Sequence, residues 1–359
     1  MSLDKITVKG YKSIKNLEDF SFNNLNVLIG ANGAGKSNLI SLFKMLAALA
    51  EGHLQMYVKE NAGPDTILYG GRKRTKEMKA EFYFHKNGYR IELSATQDNR
   101  LMFRKEETWF DGDYKTHVEQ LGTAHEEAKL SNMPTEVSHY VLPAIKNWRV
   151  YHFHDTGTDA NVKQIHPSNQ NIRLKSDAAN LAAYIARLYS EFPDAYHRMV
   201  ETIRLAAPFF GDFVIRDPLP QEIELEWTEQ GAPDSPYRAH ALSDGTLRFI
   251  CLTVLLLQPN KLLPNTIIID EPELGLHPYA INLLADMLQE VSEKRQIIIS
   301  TQSVELLNHF SAKDVVVVQR NEGASVFERL DEEDLSEWLN EFSLGDLWKR
   351  NILGGRPSK

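Results

Sequence analysis

The sequence predicts an α/β fold: a mostly parallel sheet flanked by helices, with an antiparallel β lobe and a helical insert. Three observations carry this expectation. Short, wholly apolar runs follow one another late in the chain, "TIIID" (266–270), "QIIIS" (296–300) and "VVVVQ" (315–319), with a helix-patterned stretch between the first two. Strands buried on both faces read this way. The apolar run "LNVLI" (25–29) leads into a glycine-rich turn and then an apolar-rich helix pattern. Finally, "EMKAEFYFHKNGYRIELSA" (77–95) alternates apolar and polar positions about Asn87-Gly88, and Asn-Gly is the strongest short hairpin signal.

The elements follow in order. "ITVKGYKSIKNLEDFSF" (6–22) reads as two strands around a turn, and "LNVLI" as a short buried strand. Residues 36–50 form a helix, with Gly52 just past its end as a C-cap. Residues 116–145 are polar and weakly helical in pattern. "WRVYHFH" (148–154) is strand-like, and residues 177–207 hold two helices divided at Pro193. "QEIELEW" (221–227) is expected as a strand, "GAPDSP" (231–236) as a loop, and "RFICLTVLLLQ" (248–258) as a buried helix. "PYAINLLADMLQEVSEK" (278–294) is a helix with proline suited to its first turn. There is no internal repeat, no low-complexity segment, and no heptad run long enough for an extended coiled coil.

Composition sets outer limits. The 359 residues suffice for one large domain or two ordinary ones, with 42% hydrophobic and 25% charged residues in an ordinary globular balance. The net charge of −9 means that any nucleic-acid surface is a local patch. The one cysteine, Cys251, sits inside "FICLTVLLL" and is expected to be a buried thiol with no disulfide. The opening "MSLDKITVKG" lacks the apolar stretch of a signal peptide, and the apolar run 249–257 is far shorter than the ~20 residues that span a bilayer. A cytoplasmic protein without membrane contact is expected.

The chemistry begins at "GANGAGKSN" (30–38). Glycine at 30 lets the chain turn sharply off the strand. Gly33 and Gly35 let backbone N–H groups point into one concavity, where phosphate oxygens bind. Lys36 offers a cation to the β- and γ-phosphates, Ser37 a hydroxyl to Mg²⁺, and the following helix its positive end. The competing reading, a glycine-rich turn with a surface lysine, does not account for strand before and helix after. Nucleotide binding alone names no function, because many unrelated proteins use this loop.

Three further stretches discriminate. In "TIIIDEPELGLHP" (266–278), Asp270 ends a buried strand where it can hold Mg²⁺ through water, and Glu271 beside it can orient or deprotonate an attacking water. In "LSDGTLRF" (242–249), Ser243 and Gly245 precede a long apolar helix and make a second anion site, though Ser-Asp-Gly is also an ordinary turn and cap. In "IIISTQSVE" (297–305), Gln302 follows a strand end, where its amide can reach a γ-phosphate or the water.

Together and in this order, these stretches resemble the ABC-type ATPases. Within them the chain is similar to the RecF/SMC/OLD-like branch, which includes AAA family ATPases of the AAA_21 type. The resemblance implies a P-loop NTPase fold of the ABC-ATPase head type. It matches Gly30, Asn32, Gly33, Gly35, Lys36, Ser37 and Asn38 to Walker A, and Asp270 and Glu271 to Walker B and its catalytic glutamate. It matches Ser243, Asp244 and Gly245 to the signature that contacts ATP held by a second subunit, and Leu274 to His277 to the D-loop. Gln302 stands where many ABC proteins have histidine, and Gln164, in "VKQIHPSNQN", is the candidate for a Q-loop residue.

The implied cofactors are ATP and Mg²⁺, with Ser37 and Asp270 holding the metal and Glu271, Lys36 and Gln302 in catalysis. The implied assembly is a head-to-tail homodimer, or a larger one, that controls or senses a nucleic-acid event. DNA is a candidate ligand. Bacterial antiphage defence or genome maintenance is the implied setting, with a separate effector, nuclease-like, encoded nearby. The alternatives are a RecF-like DNA-repair ATPase and an ATP-bound assembly scaffold with little turnover. The expected organisation is one discontinuous head: 1–115 with Walker A and the antiparallel lobe, 116–240 a mainly helical insert, 241–320 the signature, Walker B and switch core, and 321–359 a tail. OLD-like relatives carry a TOPRIM-type nuclease after this core. No Asp-x-Asp pair follows Gln302, so no nuclease activity is expected of the chain by itself.

Other clusters carry two readings each. His152 and His154 lie on one face of "YHFHD", where His166 or Asp155 would complete a metal site, or they are packed or exposed strand histidines. "RKRTKEMK" (72–79) holds five basic residues and one acidic, and is either a phosphate-contacting patch or a solvated turn. The tail "LGDLWKRNILGG" (344–355) either docks a partner or folds back on its own core.

Overall fold

A computed structural model describes residues 2–112, 115–133 and 135–355. Strands β1 (Lys5–Tyr11) and β2 (Ile14–Ser21) form the expected antiparallel hairpin. Strand β3 (Leu25–Ile29) is buried along its whole length, and the glycine-rich loop joins it to helix α1 (Lys36–Ala50). Gly52, at φ 76°, donates its N–H to the Leu49 carbonyl (3.0 Å) and closes the helix as a left-handed cap. Short helices α2 (Leu54–Glu60) and α3 (Pro64–Ile67) lead to β4 (Glu77–Phe84), β5 (Asn87–Ala95), β6 (Leu101–Asp111) and β7 (Thr116–Gly122). These make an antiparallel sheet of order β2-β1-β4-β5-β6-β7.

Two details of this lobe differ from the sequence reading. Phe84 pairs with Asn87 and Tyr83 with Gly88, so the hairpin turn is His85-Lys86 and not Asn87-Gly88. His85 takes the left-handed backbone, φ 58°. Gly88 serves packing: a Cβ there would run into the Trp109 indole on the neighbouring strand. The start of the 116–145 stretch is strand, not helix, because β7 finds a partner in β6. Local polarity does not reveal that pairing.

The chain continues through α4 (Ser138–Lys146), β8 (Trp148–Tyr151), β9 (His166–Pro167), α5 (Leu181–Glu191), α6 (Pro193–Ala206), β10 (Phe210–Phe213), β11 (Glu222–Ile223), β12 (Glu226–Glu229) and β13 (Ala232–Arg238). Residues 221–227 are not one strand. Their first part pairs with β9 and their second with β10 and β13, and the change of partner breaks the run. The 231–236 stretch is a turn only at Gly231 (φ 89°), after which β13 forms the edge of the sheet β10-β12-β13. Pro233 and Pro236 are tolerated there because an edge strand leaves some N–H positions without a ladder partner.

Next come α7 (Asp244–Leu257), β14 (Thr266–Asp270), α8 (Pro278–Ser292), β15 (Gln296–Thr301), α9 (Val304–Leu307), β16 (Val315–Asn321), β17 (Ala324–Arg329), α10 (Ser336–Leu339) and α11 (Leu344–Lys349). The central sheet has the order β17-β16-β3-β15-β14-β8, parallel throughout except for β17. The loops after β3, β8, β14, β15 and β16 therefore leave the sheet on one edge, where open α/β sheets bind ligands.

Alternate residues of the parallel strands feed two cores. Val27, Ile267, Ile297 and Val315 pack with the helices of the later half, including Leu181, Leu252 and Leu284. Leu28, Ile268, Ile298 and Val316 pack with α1 and the antiparallel sheet, including Phe43, Ile6 and Phe82. The tail folds back on the first of these cores: Leu347, Trp348 and Leu353 join it, and the Gly345 N–H donates to Asn308 Oδ1 (2.7 Å). Among the described residues no helix is long and apolar enough to cross a membrane.

Candidate nucleotide-binding site

The loop between β3 and α1 owes its shape to its glycines. Gly30 (φ 152°) and Gly35 (φ 121°) take positive φ, and neither site has room for a side chain. A Cβ at Gly30 would meet the Val318 carbonyl, and one at Gly35 the hydroxyls of Ser325 and Ser13. These serines are a floor beneath the loop: Ser325 Oγ lies 2.6 Å from Ser13 Oγ and 2.5 Å from the Ala34 carbonyl oxygen. Asn38 donates to Ser13 Oγ (2.6 Å), so its amide faces this floor. On the other flank the Ala31 N–H donates to the Gly355 carbonyl (2.7 Å), which brings the chain's tail against the loop. At Gly33 (φ 78°) the space is open, and Asn32, Gly33 and Ser37 are exposed.

No side chain caps the first turn of α1. A helix start without a cap leaves N–H donors and the positive end of the helix dipole for an external anion. Lys36 is buried at this point and donates through Nζ to the carbonyls of Gly30 (2.6 Å) and Ala31 (3.2 Å). Burial pulls its pKa down, while the charges of Glu271, Asp270 and Glu273 push it back up. The cation from β3–α1 and the carboxylates from the end of β14 thus share one field.

Asp270 ends β14 and accepts from Ser300 Oγ on the parallel neighbour β15. Glu271 has a left-handed backbone, φ 43°, with its N–H on the Ser300 carbonyl (2.9 Å). That conformation costs a non-glycine residue about 1–2 kcal/mol, and such strain clusters at functional sites. Gln302, leaving β15, donates its side-chain amide to Glu271 Oε1. Glu273 is buried, accepts from Thr301 Oγ1 (2.5 Å) and the Gln302 N–H (3.3 Å) on Oε1, and leaves Oε2 without a partner. Burial raises its pKa, the Thr301 and Gln302 hydrogen bonds oppose the rise, and the nearby Glu271 charge adds to it. Lys36, Asp270, Glu271 and Gln302 are therefore gathered at one sheet edge. A cation, a strand-end carboxylate and an amide-held glutamate can bind a phosphoanhydride, share a divalent cation and orient water.

Ser243, Asp244 and Gly245 occupy a different place. Ser243 caps α7, accepting from the Thr246 N–H (3.2 Å). Asp244 faces Lys163 Nζ (3.5 Å), and a Cβ at Gly245 would collide with the Gly275 carbonyl. No hydrogen bond or ion pair among the described residues joins 243–245 to the 30–38 loop. Leu274, next to the Gly275 that Gly245 abuts, is 48% exposed, and Tyr279, in the first turn of α8, is 47% exposed. His277 caps α8 through Nδ1 and the Tyr279 N–H (3.3 Å).

The remaining candidates separate. Gln164 is exposed at the end of a short 3-10 turn, with its N–H on the Asn161 carbonyl (3.1 Å). The segment that reaches the ligand edge from β8 is instead residues 152–155. His166 Nε2 bonds the Asn161 carbonyl, and among the described residues no three His, Cys, Asp or Glu side chains converge as a metal site. In the 72–79 patch, Arg72 is held by Asp65, the Thr96 carbonyl and Asn99, and Arg74 stacks on Tyr69 (4.7 Å). Lys79 pairs with Glu92 (3.1 Å), which leaves Lys73 and Lys76 as the patch's outward cations.

Sequence reasoning missed Glu273, the Ser13–Ser325 floor, and Arg248, which anchors α7. Glu273 had a signal, a third carboxylate in "DEPE" at the end of a buried strand. Ser13 and Ser325 had none, being brought together by the pairing around β1, β2 and β17.

Residues 25–308 match the AAA_21 family, "AAA domain, putative AbiEii toxin, Type IV TA system". Over 106 residues, 28% of this chain, the sequence is 36% identical to the DNA replication and repair protein RecF of an Exiguobacterium species, and the match spans only 28% of that protein's length. The fold is similar to an SMC head bound to the C-winged helix domain of ScpA, with TM-score 0.61 and 17% identity over 94% of this chain and 100% of that one. It is also similar to an SMC head domain with an extended coiled coil, bound to the C-terminal domain of ScpA derived from Pyrococcus furiosus. There the TM-score is 0.59 with 15% identity over 94% of this chain and 98% of that one.

Proposed function

The chain belongs to the AAA_21 family, as an ABC-type ATPase of the RecF/SMC branch with an SMC-head-like fold, and from that premise we propose that it binds and hydrolyses ATP with Mg²⁺ and uses the cycle to close and open a head-to-tail homodimer. One observation carries the reading. The uncapped start of α1, Lys36, Asp270, Glu271 and Gln302 all stand on one edge of the central sheet.

In this reading the N–H groups around Gly33 and Gly35 cradle the phosphates beside Gly30 and Asn32, and Lys36 leaves its loop carbonyls for the phosphate oxygens. Ser37 and Asp270 hold Mg²⁺, while Asn38 supports the loop from below. Glu271 takes the water's proton, oriented by the Gln302 amide. Ser243, Asp244 and Gly245 engage the nucleotide of a second copy. The lack, among the described residues, of a hydrogen bond or ion pair from them to the 30–38 loop, and the exposed Leu274 next to the Gly275 that Gly245 abuts, support a partner chain at that face.

The similarity to RecF over part of the chain supports DNA as the ligand whose state is coupled to the ATP cycle. The family description, which names a putative toxin of a type IV TA system, is compatible with a defence setting; the separately encoded effector is part of the proposal and does not follow from that description. The same RecF similarity supports the second reading, a DNA-repair ATPase. The deciding experiment is ATP turnover by the purified protein with and without DNA. Turnover that is abolished in Lys36→Ala and altered by DNA supports the reading, and a protein that binds no nucleotide overturns it.

A further inference from the structure

Arg248 lies one turn into α7 and is only 6% exposed. Its Nε donates to the Phe153 carbonyl (2.9 Å) and its Nη2 to the His154 carbonyl (3.1 Å), both just beyond the end of β8. Its Nη1 lies against the turn after β14, where a Cβ on Gly275 would stand 3.1 Å away. The carboxylates facing it are Asp244, at the start of its own helix, and Glu273. One planar guanidinium thus touches three separate segments: its own helix, the loop after β8 and the turn at Gly275. A rigid fork spent on two consecutive carbonyls fixes the distance and the angle between the pieces it joins, which a flexible ammonium does not.

Glu273 faces the guanidinium without a hydrogen bond or ion pair to it among the described residues. Glu273 is held by Thr301 Oγ1 and the Gln302 N–H, and the Gln302 side chain holds Glu271. The Oε2 atom of Glu273 is buried without a partner. The hydrogen-bonded run from Glu273 through Gln302 to Glu271 thus lies beside the helix that carries Ser243–Gly245, without a direct bond between Arg248 and Glu273 among the described residues.

We propose that Arg248 is a positioning residue: it registers the Ser243–Gly245 segment against the Gly275 turn and the end of β8, so that this segment meets the nucleotide of a second chain. The inference rests on the ATP-driven dimer proposed above.

The test uses the Glu271→Gln protein as parent and measures association on adding ATP by sedimentation velocity, beside monomer binding of a fluorescent ATP analogue. Arg248→Met in that parent is expected to bind the analogue within about twofold and to lose at least about tenfold in association. Arg248→Lys, which cannot span both carbonyls, is expected to fall between. In the otherwise wild-type chain, Arg248→Met is expected to lower kcat at least about tenfold with KM changed less than about threefold. A parent that dimerises, with Arg248→Met dimerising equally well, overturns the role of Arg248 alone. A parent that stays monomeric with ATP overturns the dimer and this inference together. If Arg248→Met binds no analogue because it does not fold, Arg248→Lys decides, and association equal to the parent's overturns the proposal.

Discussion

The side-chain amide of Gln302 donates to the carboxylate of Glu271, across the ends of two parallel strands. The amide orients the carboxylate without neutralising it. A histidine at that position would add a second titratable group, whereas the Gln302 amide carries no charge. We expect Glu271→Gln to keep ATP binding and slow hydrolysis by roughly 10²-fold or more, the usual worth of a positioned base. Gln302→Ala should slow it by about tenfold or more through loss of orientation. Phosphate release measured beside nucleotide affinity separates the two effects, and wild-type turnover in Glu271→Gln would remove this residue from the base role.

Lys36 already bonds two carbonyls of its own loop and sits in the field of three carboxylates. Without it that field repels triphosphate. Lys36→Ala is expected to abolish ATP binding and to lower Tm somewhat, because it also removes the cation facing Glu271, Asp270 and Glu273 and the donor to the Gly30 and Ala31 carbonyls. Calorimetric titration with ATP checks this, and micromolar binding by the variant would count against the phosphate role.

Gly245 abuts Gly275 in its own chain, so any side chain there disturbs the Gly275 turn as well as a partner. Ser243 is the cleaner position, being exposed and, among the described residues, engaged only in capping α7. Ser243→Arg in the Glu271→Gln background should leave monomer ATP binding intact and prevent ATP-dependent dimerisation. Light scattering that still shows an ATP-dependent dimer would place the partner's contact elsewhere.

In the 72–79 patch, Arg72 and Arg74 already have partners in the fold, so reversing them tests stability as much as binding. Lys73 and Lys76 are the informative positions. If they contact nucleic-acid phosphates, binding is sequence-independent and falls steeply with salt, and the double change to Glu flattens the salt slope by about 2. An unchanged slope assigns the patch to a solvated turn.

Burial holds the Glu273 carboxyl above the usual carboxylate range. The folded state therefore binds its proton more tightly than the unfolded chain does. The associated stability is present below the unfolded pKa and lost as pH rises through the carboxylate range to the raised value. Glu273→Gln removes the titration but keeps an acceptor for Thr301. We expect the variant and the wild type to melt together near pH 4 and the variant to gain in Tm toward pH 7. A difference that does not vary with pH would show that burial does not raise the pKa of this carboxyl.

The local sequence determined the nucleotide loop, the central strands and the capped helices. In each case the cause lies within a few residues: glycine spacing before Lys36, apolar runs such as 296–300, and Gly52 after α1. Asp270, Glu271 and Gln302 were legible because parallel strands deliver their ends to one edge, a consequence of topology that apolar periodicity already implies. What the tertiary structure decided depends on pairings between distant segments. The hairpin turned at His85 because Trp109 claims the space over Gly88. The floor of Ser13 and Ser325, the seat of Gly355 on Ala31, and the grip of Arg248 on the end of β8 join residues far apart in the chain. No short window of sequence contains both partners of such a contact, so these were fixed only when the sheets and cores closed around them.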